Sequence, residues 1–250
     1  MPSESSVPVN PRRRPGVQSV EVGASLLRAL ADAHGPQSLS ALARAAGMSS
    51  AKAHRYLVSY VQAGLVVQSE RSGGYDLGPL AVRVGLAAME RFDVVRVASE
   101  RLGELRDAAN ATSSISVWTD AGPTVARIEL SRHPVTLAVR TGTTYPVLTT
   151  ATGQIFLAFG AVEAPGVPAG DPAVERLREE VRARRLARVD QAFLVGVCAM
   201  AGPLFHQDGR LAAAVTIVGR PGVLDLAWDG TTARAIEAFT AACSDVAAPR

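Results

Sequence analysis

Ser50, Lys52, Arg55 and Ser59 form a set of hydrogen-bond donors suited to phosphate oxygens and base edges. They fall opposite an apolar stripe of Ala53, Tyr56, Leu57, Tyr60 and Val61 at the spacing of one helix face. Alone, such a helix is more simply a core element with a solvated outer side. Its neighbours change the reading. Ser40 can cap a preceding short helix in which Leu42, Ala45 and Ala46 face inward, and Gly47 can stop that helix in a left-handed turn. Ser49 or Ser50 can then cap the next helix, which Gly64 ends. Leu65–Val67 pairs with Tyr75–Leu77 across a tip at Ser72-Gly73-Gly74. Helix, turn, helix and glycine-tipped hairpin in that order make a winged helix-turn-helix, a device for entering the DNA major groove. Ser40, Ser49, His54 and Arg71 join the first four as candidate DNA contacts. Arg55 is the principal one, either reading a base or anchoring the helix to a phosphate.

Charge is placed accordingly. Residues 1–92 hold ten Lys/Arg against six Asp/Glu, whereas the rest of the chain holds sixteen against seventeen. The positive excess lies where a phosphate lattice would draw it. The 250 residues are 48% apolar, enough for a buried core, and allow one large domain or two ordinary ones. No apolar run approaches the roughly 18 residues of a membrane span. The Arg12-Arg13-Arg14 cluster has no apolar signal core after it, so a cytoplasmic location is expected. Cys198 and Cys243 have neither metal-ligand spacing nor disulfide density and read as small core residues.

Residues 1–16 read as a disordered basic arm, which either reaches the DNA or merely solubilises the chain. Residues 17–78 make the winged helix-turn-helix; its first helix spans Gln18–Ala33, with Val20, Ala24, Leu27 and Leu30 inward. Residues 79–92 make a linker helix, with Leu80, Val84 and Ala87/Ala88 on one side, that can pack against a partner chain. From 93 to 250 the pattern is mixed. Helices are expected at Val94–Ala111, Thr149–Phe159, Pro172–Arg185 and Thr231–Val246. Strands are expected at Ser114–Trp118, Thr124–Leu130, Val135–Arg140, Ala199–Phe205 and Leu211–Val218. Helices flanking one antiparallel sheet place this half, and the chain, in the α+β class.

Residues 18–247 resemble the isocitrate-lyase-regulator (IclR) family of bacterial transcription factors. The first half carries Leu39-Ser40-x-Leu42-Ala43, Gly47-Met48, His54-Arg55-x-Leu57, Gly64-Leu65 and Tyr75-x-Leu77-Gly78. The second carries Gly142, Pro146, Thr150-Ala151-x-Gly153, Leu157-Ala158, Gly196, Ala201-x-Pro203-x-Phe205, Asp208-Gly209-Arg210 and Gly219 in family order. The resemblance implies a GAF-like effector-binding domain behind the DNA reader, assembly as a homodimer or homotetramer, and repression in preference to activation. Two readers in one assembly call for a pseudo-palindromic operator on double-stranded DNA. One departure bears on the DNA sequence read: family members commonly open the recognition helix with Pro-Lys-Ser-Thr, and this chain has Ser49-Ser50-Ala51-Lys52.

Leu148–Gly153 enters a helix, where unpaired amides and the helix dipole favour a carboxylate or another electron-rich oxygen. The resemblance places an effector at this turn, contacting Thr150, Ala151, Thr152 and Gly153, with Val189, Ala199, Thr216 and Val218 from the facing strands. Thr216 keeps a hydroxyl; the other three strand positions are apolar where an acid, a thiol and a hydroxyl can occur in relatives. Such a lining suits a molecule bulkier and more apolar than glyoxylate or pyruvate, an aromatic, cyclic or otherwise hydrophobic metabolite with at most one oxygen at the turn. An apolar core without a ligand is the alternative. No enzyme or cofactor is expected: His34, His54, His133 and His206 lack ligand spacing, and no nucleophile elbow or Walker loop occurs. Two rival readings stay open, a ligand-transforming enzyme and a dimerisation module that has lost DNA.

Overall fold

The computed structural model describes residues 17–91, 93–133, 137, 139–160, 166–168 and 170–246. The basic arm expected at 1–16 and most of the strand expected at Val135–Arg140 lie outside them. The chain divides into two compact units between Gly85 and Leu86.

In the first unit α1 (Gln18–Ala31), α2 (Leu39–Ala45) and α3 (Ser50–Gln62) precede a hairpin of β1 (Val66–Gln68) and β2 (Tyr75–Leu77). The hairpin is antiparallel, with Val66 opposite Leu77 and Gln68 opposite Tyr75. Gln37 and Tyr75 exchange two backbone hydrogen bonds at 2.8 Å, which ties the segment before α2 to the wing. Leu26, Leu30, Leu42, Ala43, Ala53 and Leu57 form the core. Two inward stripes differ from expectation. In α1 the buried positions are Gly23, Leu26 and Leu30, while Val20 is exposed. The cause is a close approach: a Cβ on Gly23 would stand 2.0 Å from the Tyr60 hydroxyl, so α3 packs where α1 has no side chain to mark the face. In α2 Ala43 is buried and Ala45 exposed. Val61, expected inward, is exposed as well. Between α2 and α3, Gly47 adopts φ +63, the left-handed conformation that turns the chain sharply.

α4 (Pro79–Glu90) spans the boundary and has no buried residue; Val82, Val84 and Leu86 are all exposed. The second unit holds α5 (Asp93–Ala109), β3 (Thr112–Thr119), β4 (Gly122–Glu129), α6 (Ala151–Phe159), α7 (Pro172–Arg184), β5 (Ala187–Asp190), β6 (Cys198–Phe205), β7 (Leu211–Gly219) and α8 (Thr231–Val246). Its sheet is antiparallel in the order β4-β3-β7-β6-β5. Edge strand β5 is an addition to the expected strands: Ala187 and Val189 alternate with the exposed Arg188 and Asp190 over only four residues.

The two faces of this sheet are chemically unequal. Period-two alternation sends Ile115, Met200, Leu204, Val215 and Ile217 towards α5 and α8. The same alternation sends Ala199, Ala201, Ala214 and Val218 towards α6. Large residues therefore fill one face completely. Small ones leave room on the other.

Candidate nucleic-acid interface and effector cavity

The first candidate site is the outer side of α3. Ser49 caps the helix, its hydroxyl accepting from the Lys52 amide at 3.4 Å. Ser50, His54, Arg55 and Ser59 are exposed and Lys52 is half-buried. Arg71 stands exposed at the tip of the wing. Ser59 differs from a free donor, since its hydroxyl donates to the Arg55 carbonyl at 3.2 Å and offers only its lone pairs outward. Ser40 is not the cap of α2. That role falls to Ser38, whose hydroxyl accepts from the Ala41 amide at 3.2 Å; the helix starts two residues earlier, and Ser40 sits in its first turn, 3.1 Å from the Ser38 hydroxyl. Arg44, exposed in the last turn of α2, is a cation the sequence reading left out.

The charge along α2 and α3 has one sign. Between Asp32 and Glu70 the chain contains no Asp or Glu, and in that interval lie Arg44, Lys52 and Arg55. An unopposed group of cations around a capped, protruding helix attracts a polyanion, with an affinity that salt weakens.

The second site lies on the small-residue face of the second unit. α6 starts hard against the preceding loop: a Cβ on Gly153 would meet the Pro146 carbonyl oxygen at 2.4 Å and Val147 Cα at 2.5 Å. Thr150 caps the helix, accepting from the Gly153 amide at 3.0 Å and donating to the Pro146 carbonyl at 2.6 Å. With Gly153 satisfied in this way, the first two helical amides, those of Ala151 and Thr152, are the donors of this terminus. Thr152 and Thr216 are each 2% exposed and their hydroxyls lie 2.8 Å apart. Only one of the two protons can lie between them, so the pair keeps a further proton to donate.

A cavity of about 130 Å³ opens beside this pair. Thr150, Ala151, Thr152, Val189, Ala199, Thr216 and Val218 line it. Gly153, the eighth expected position, stands behind the wall and acts through close packing. The rest of the lining is Leu137, Val139, Tyr145, Phe193, Leu194 and Val197, which the sequence does not mark as cavity wall. The run Phe193-Leu194-Val195 was the available signal, being apolar in a stretch too short and too glycine-bounded for a helix. Burial pushes the Tyr145 phenol up to about 12. Ser114, the register partner of Thr216, and Ser116 on the same face keep buried hydroxyls that lack partners among the described residues.

Neither cysteine is poised for chemistry. Burial raises Cys198 first, with Asp190 adding to it, and the thiol donates to the Gly219 carbonyl at 3.4 Å. Burial raises Cys243 to about 11. Thiols held protonated in this way are poor nucleophiles. Among the described residues no group of three His, Cys, Asp or Glu could hold a metal ion, and no helix is long and apolar enough to cross a membrane.

Known proteins resemble this chain over most of its length. The model of the IclR helix-turn-helix domain matches residues 19–70. The glycerol operon regulatory protein of Streptomyces griseus is 25% identical over 215 residues, covering 81% of this chain and 85% of that protein. The crystal structure of Pseudomonas aeruginosa HmgR is 37% identical with a TM-score of 0.58, covering 92% of this chain and 98% of that one. An IclR homolog from Microbacterium hydrocarbonoxydans, solved in complex with 4-hydroxybenzoate, is 16% identical with a TM-score of 0.75, covering 91% and 98%.

Proposed function

Because this chain belongs to the IclR family of DNA-binding transcriptional regulators, we propose that α3 reads its operator and that a single-ring, mostly apolar effector in the cavity beside Thr152 and Thr216 controls that reading. Residues 17–78 are assigned to DNA, 79–92 to the link and 93–250 to sensing. Lys52, Arg55 and Arg71 supply the cationic contacts, with Ser49, Ser50 and His54 as neutral partners.

The observation that carries the effector reading is the size and lining of the cavity. At about 130 Å³ it is close to the ~150 Å³ apolar cavity that takes up benzene. Val189, Ala199 and Val218 offer no hydrogen bond to a molecule made mostly of oxygen. The amides of Ala151 and Thr152 and the threonine pair offer a few, all at one end. A compact ring with one oxygen-bearing group matches both ends. The 4-hydroxybenzoate held by the Microbacterium relative is likewise a single ring, with a second oxygen at its far end.

Effector occupancy alters DNA affinity only by favouring one state of the reader over another. The exposed Val82 and Leu86, one turn apart on the same face of α4, give a second copy an apolar strip, which supports a dimer, or a tetramer built from dimers, on a pseudo-palindromic site. Repression in the cytoplasm, without turnover of the effector, completes the reading. Calorimetry with the full chain tests it: benzoate and 4-hydroxybenzoate should bind, and glyoxylate and pyruvate should not. Selective binding of the two small oxo acids would contradict the proposal, as would consumption of a bound ligand.

A further inference from the structure

The loop between β5 and β6 is built for more than connection. It closes on itself: the Gln191 amide donates to the Val197 carbonyl at 3.0 Å, the Gly196 amide to the Gln191 side-chain oxygen at 3.0 Å, and the Val197 amide to the Leu194 carbonyl at 3.1 Å. So tied, it holds Phe193, Leu194 and Val195 out at 52%, 58% and 85% exposure. Three consecutive large apolar residues on a surface loop ask for an explanation. Phe193 and Leu194 also line the cavity, so their side chains form its rim. Tyr145 faces Phe193 edge-on, with ring centroids 6.3 Å apart and planes at 85°. The Tyr145 backbone is held in place, its amide donating to the Pro123 carbonyl at 2.8 Å.

We propose that Tyr145 and Phe193 form a selectivity clamp at the cavity mouth that prefers a planar aromatic ring to a saturated ring of the same size. The inference rests on the reading of the cavity as the effector site and adds which residues choose the ring. A third aromatic ring extends the edge-to-face pair, because the electron-poor edge of one ring meets the electron-rich face of another. A saturated ring covers the same apolar area without that term. Phe193 supplies a ring with half its surface still to be covered, and Tyr145 fixes the angle. The Tyr145 hydroxyl, kept protonated by burial, can donate to an oxygen on the ring.

The test uses two probes with one carboxylate and similar bulk, benzoate and cyclohexanecarboxylate, titrated into the full chain by calorimetry. The expected preference for benzoate is roughly three- to tenfold, the worth of one added ring contact. Phe193→Leu keeps apolar bulk on an exposed loop and should bring the ratio close to one, by weakening benzoate more than cyclohexanecarboxylate. Phe193→Ala should also bring the ratio towards one while weakening both probes. Equal binding of the two by the wild-type chain, or a benzoate preference that survives Phe193→Leu, overturns the clamp and leaves the cavity reading intact. Binding of neither probe overturns the cavity reading, and the clamp falls with it.

Discussion

Of the helix N-termini capped by a side-chain hydroxyl, those of α3 and α6 differ most in what surrounds them. α3 begins at Ser49 among exposed residues, with cations close by in the chain. α6 begins at Thr150, 6% exposed, with Thr152 and Thr216 at 2%. The local geometry is alike, yet the medium is not. In water a helix terminus and a few hydroxyls add little alone, so the α3 surface must sum many contacts with a polyanion and lose them to salt. In the interior one hydrogen bond counts for more, and a polar group left unmatched is costly. A capped helix start therefore serves a wet reader or a dry sensor according to its burial. The small-residue face of the sheet makes the second one dry.

The largest change that should separate the two regions is Leu57→Ala. Leu57 is fully buried in the core of the first unit, and its truncation should cost ~2–5 kcal/mol. Thermal unfolding should show the loss and DNA binding should weaken with it, while calorimetric ligand binding persists. Loss of ligand binding as well would break the separation. Gly153→Ala is the matching change on the sensor side. The added methyl meets backbone atoms that cannot rotate away, at a cost of ~1–3 kcal/mol. Ligand binding should fall, and DNA affinity without ligand should stay. The smallest effect is Ser116→Ala. Removing a buried hydroxyl without a partner should leave stability unchanged or raise it by up to ~1 kcal/mol, read from a denaturant midpoint. A clear destabilisation would mean that this hydroxyl is engaged in the folded protein.

What could be read from the sequence follows from which signals are local. The order of helix, turn and hairpin was legible because capping serines and turn glycines act within a few residues. The helix expected at Val94–Ala111 was legible from its helical periodicity, and α5 buries Val97, Leu102 and Leu105. The α1 stripe was misjudged because its contact with Tyr60 is made through Gly23, a residue that carries no apolar label. Ser38 and Ser40 stand two residues apart and either can cap α2; the choice falls to the start that turns Leu42 and Ala43 inward. Strand β5 gave too weak a signal, since its alternation runs over only four residues, Ala187–Asp190, directly after a helix. The cavity positions on α6 and the facing strands came from resemblance. Tyr145 and Phe193 belong to loops, whose meeting is decided by long-range packing that no local pattern records.

The central claim is that α3 touches DNA through Arg55 and Lys52, and fluorescence anisotropy with labelled DNA from upstream of the protein's own gene tests it most directly. The wild-type chain should bind this fragment more tightly than unrelated DNA. Arg55→Ala should weaken that binding by ~1–3 kcal/mol, and Lys52→Ala should reduce the salt dependence by about one unit of slope. If both variants bind the fragment as the wild type does, at every salt concentration, α3 is not the reader and the account is wrong.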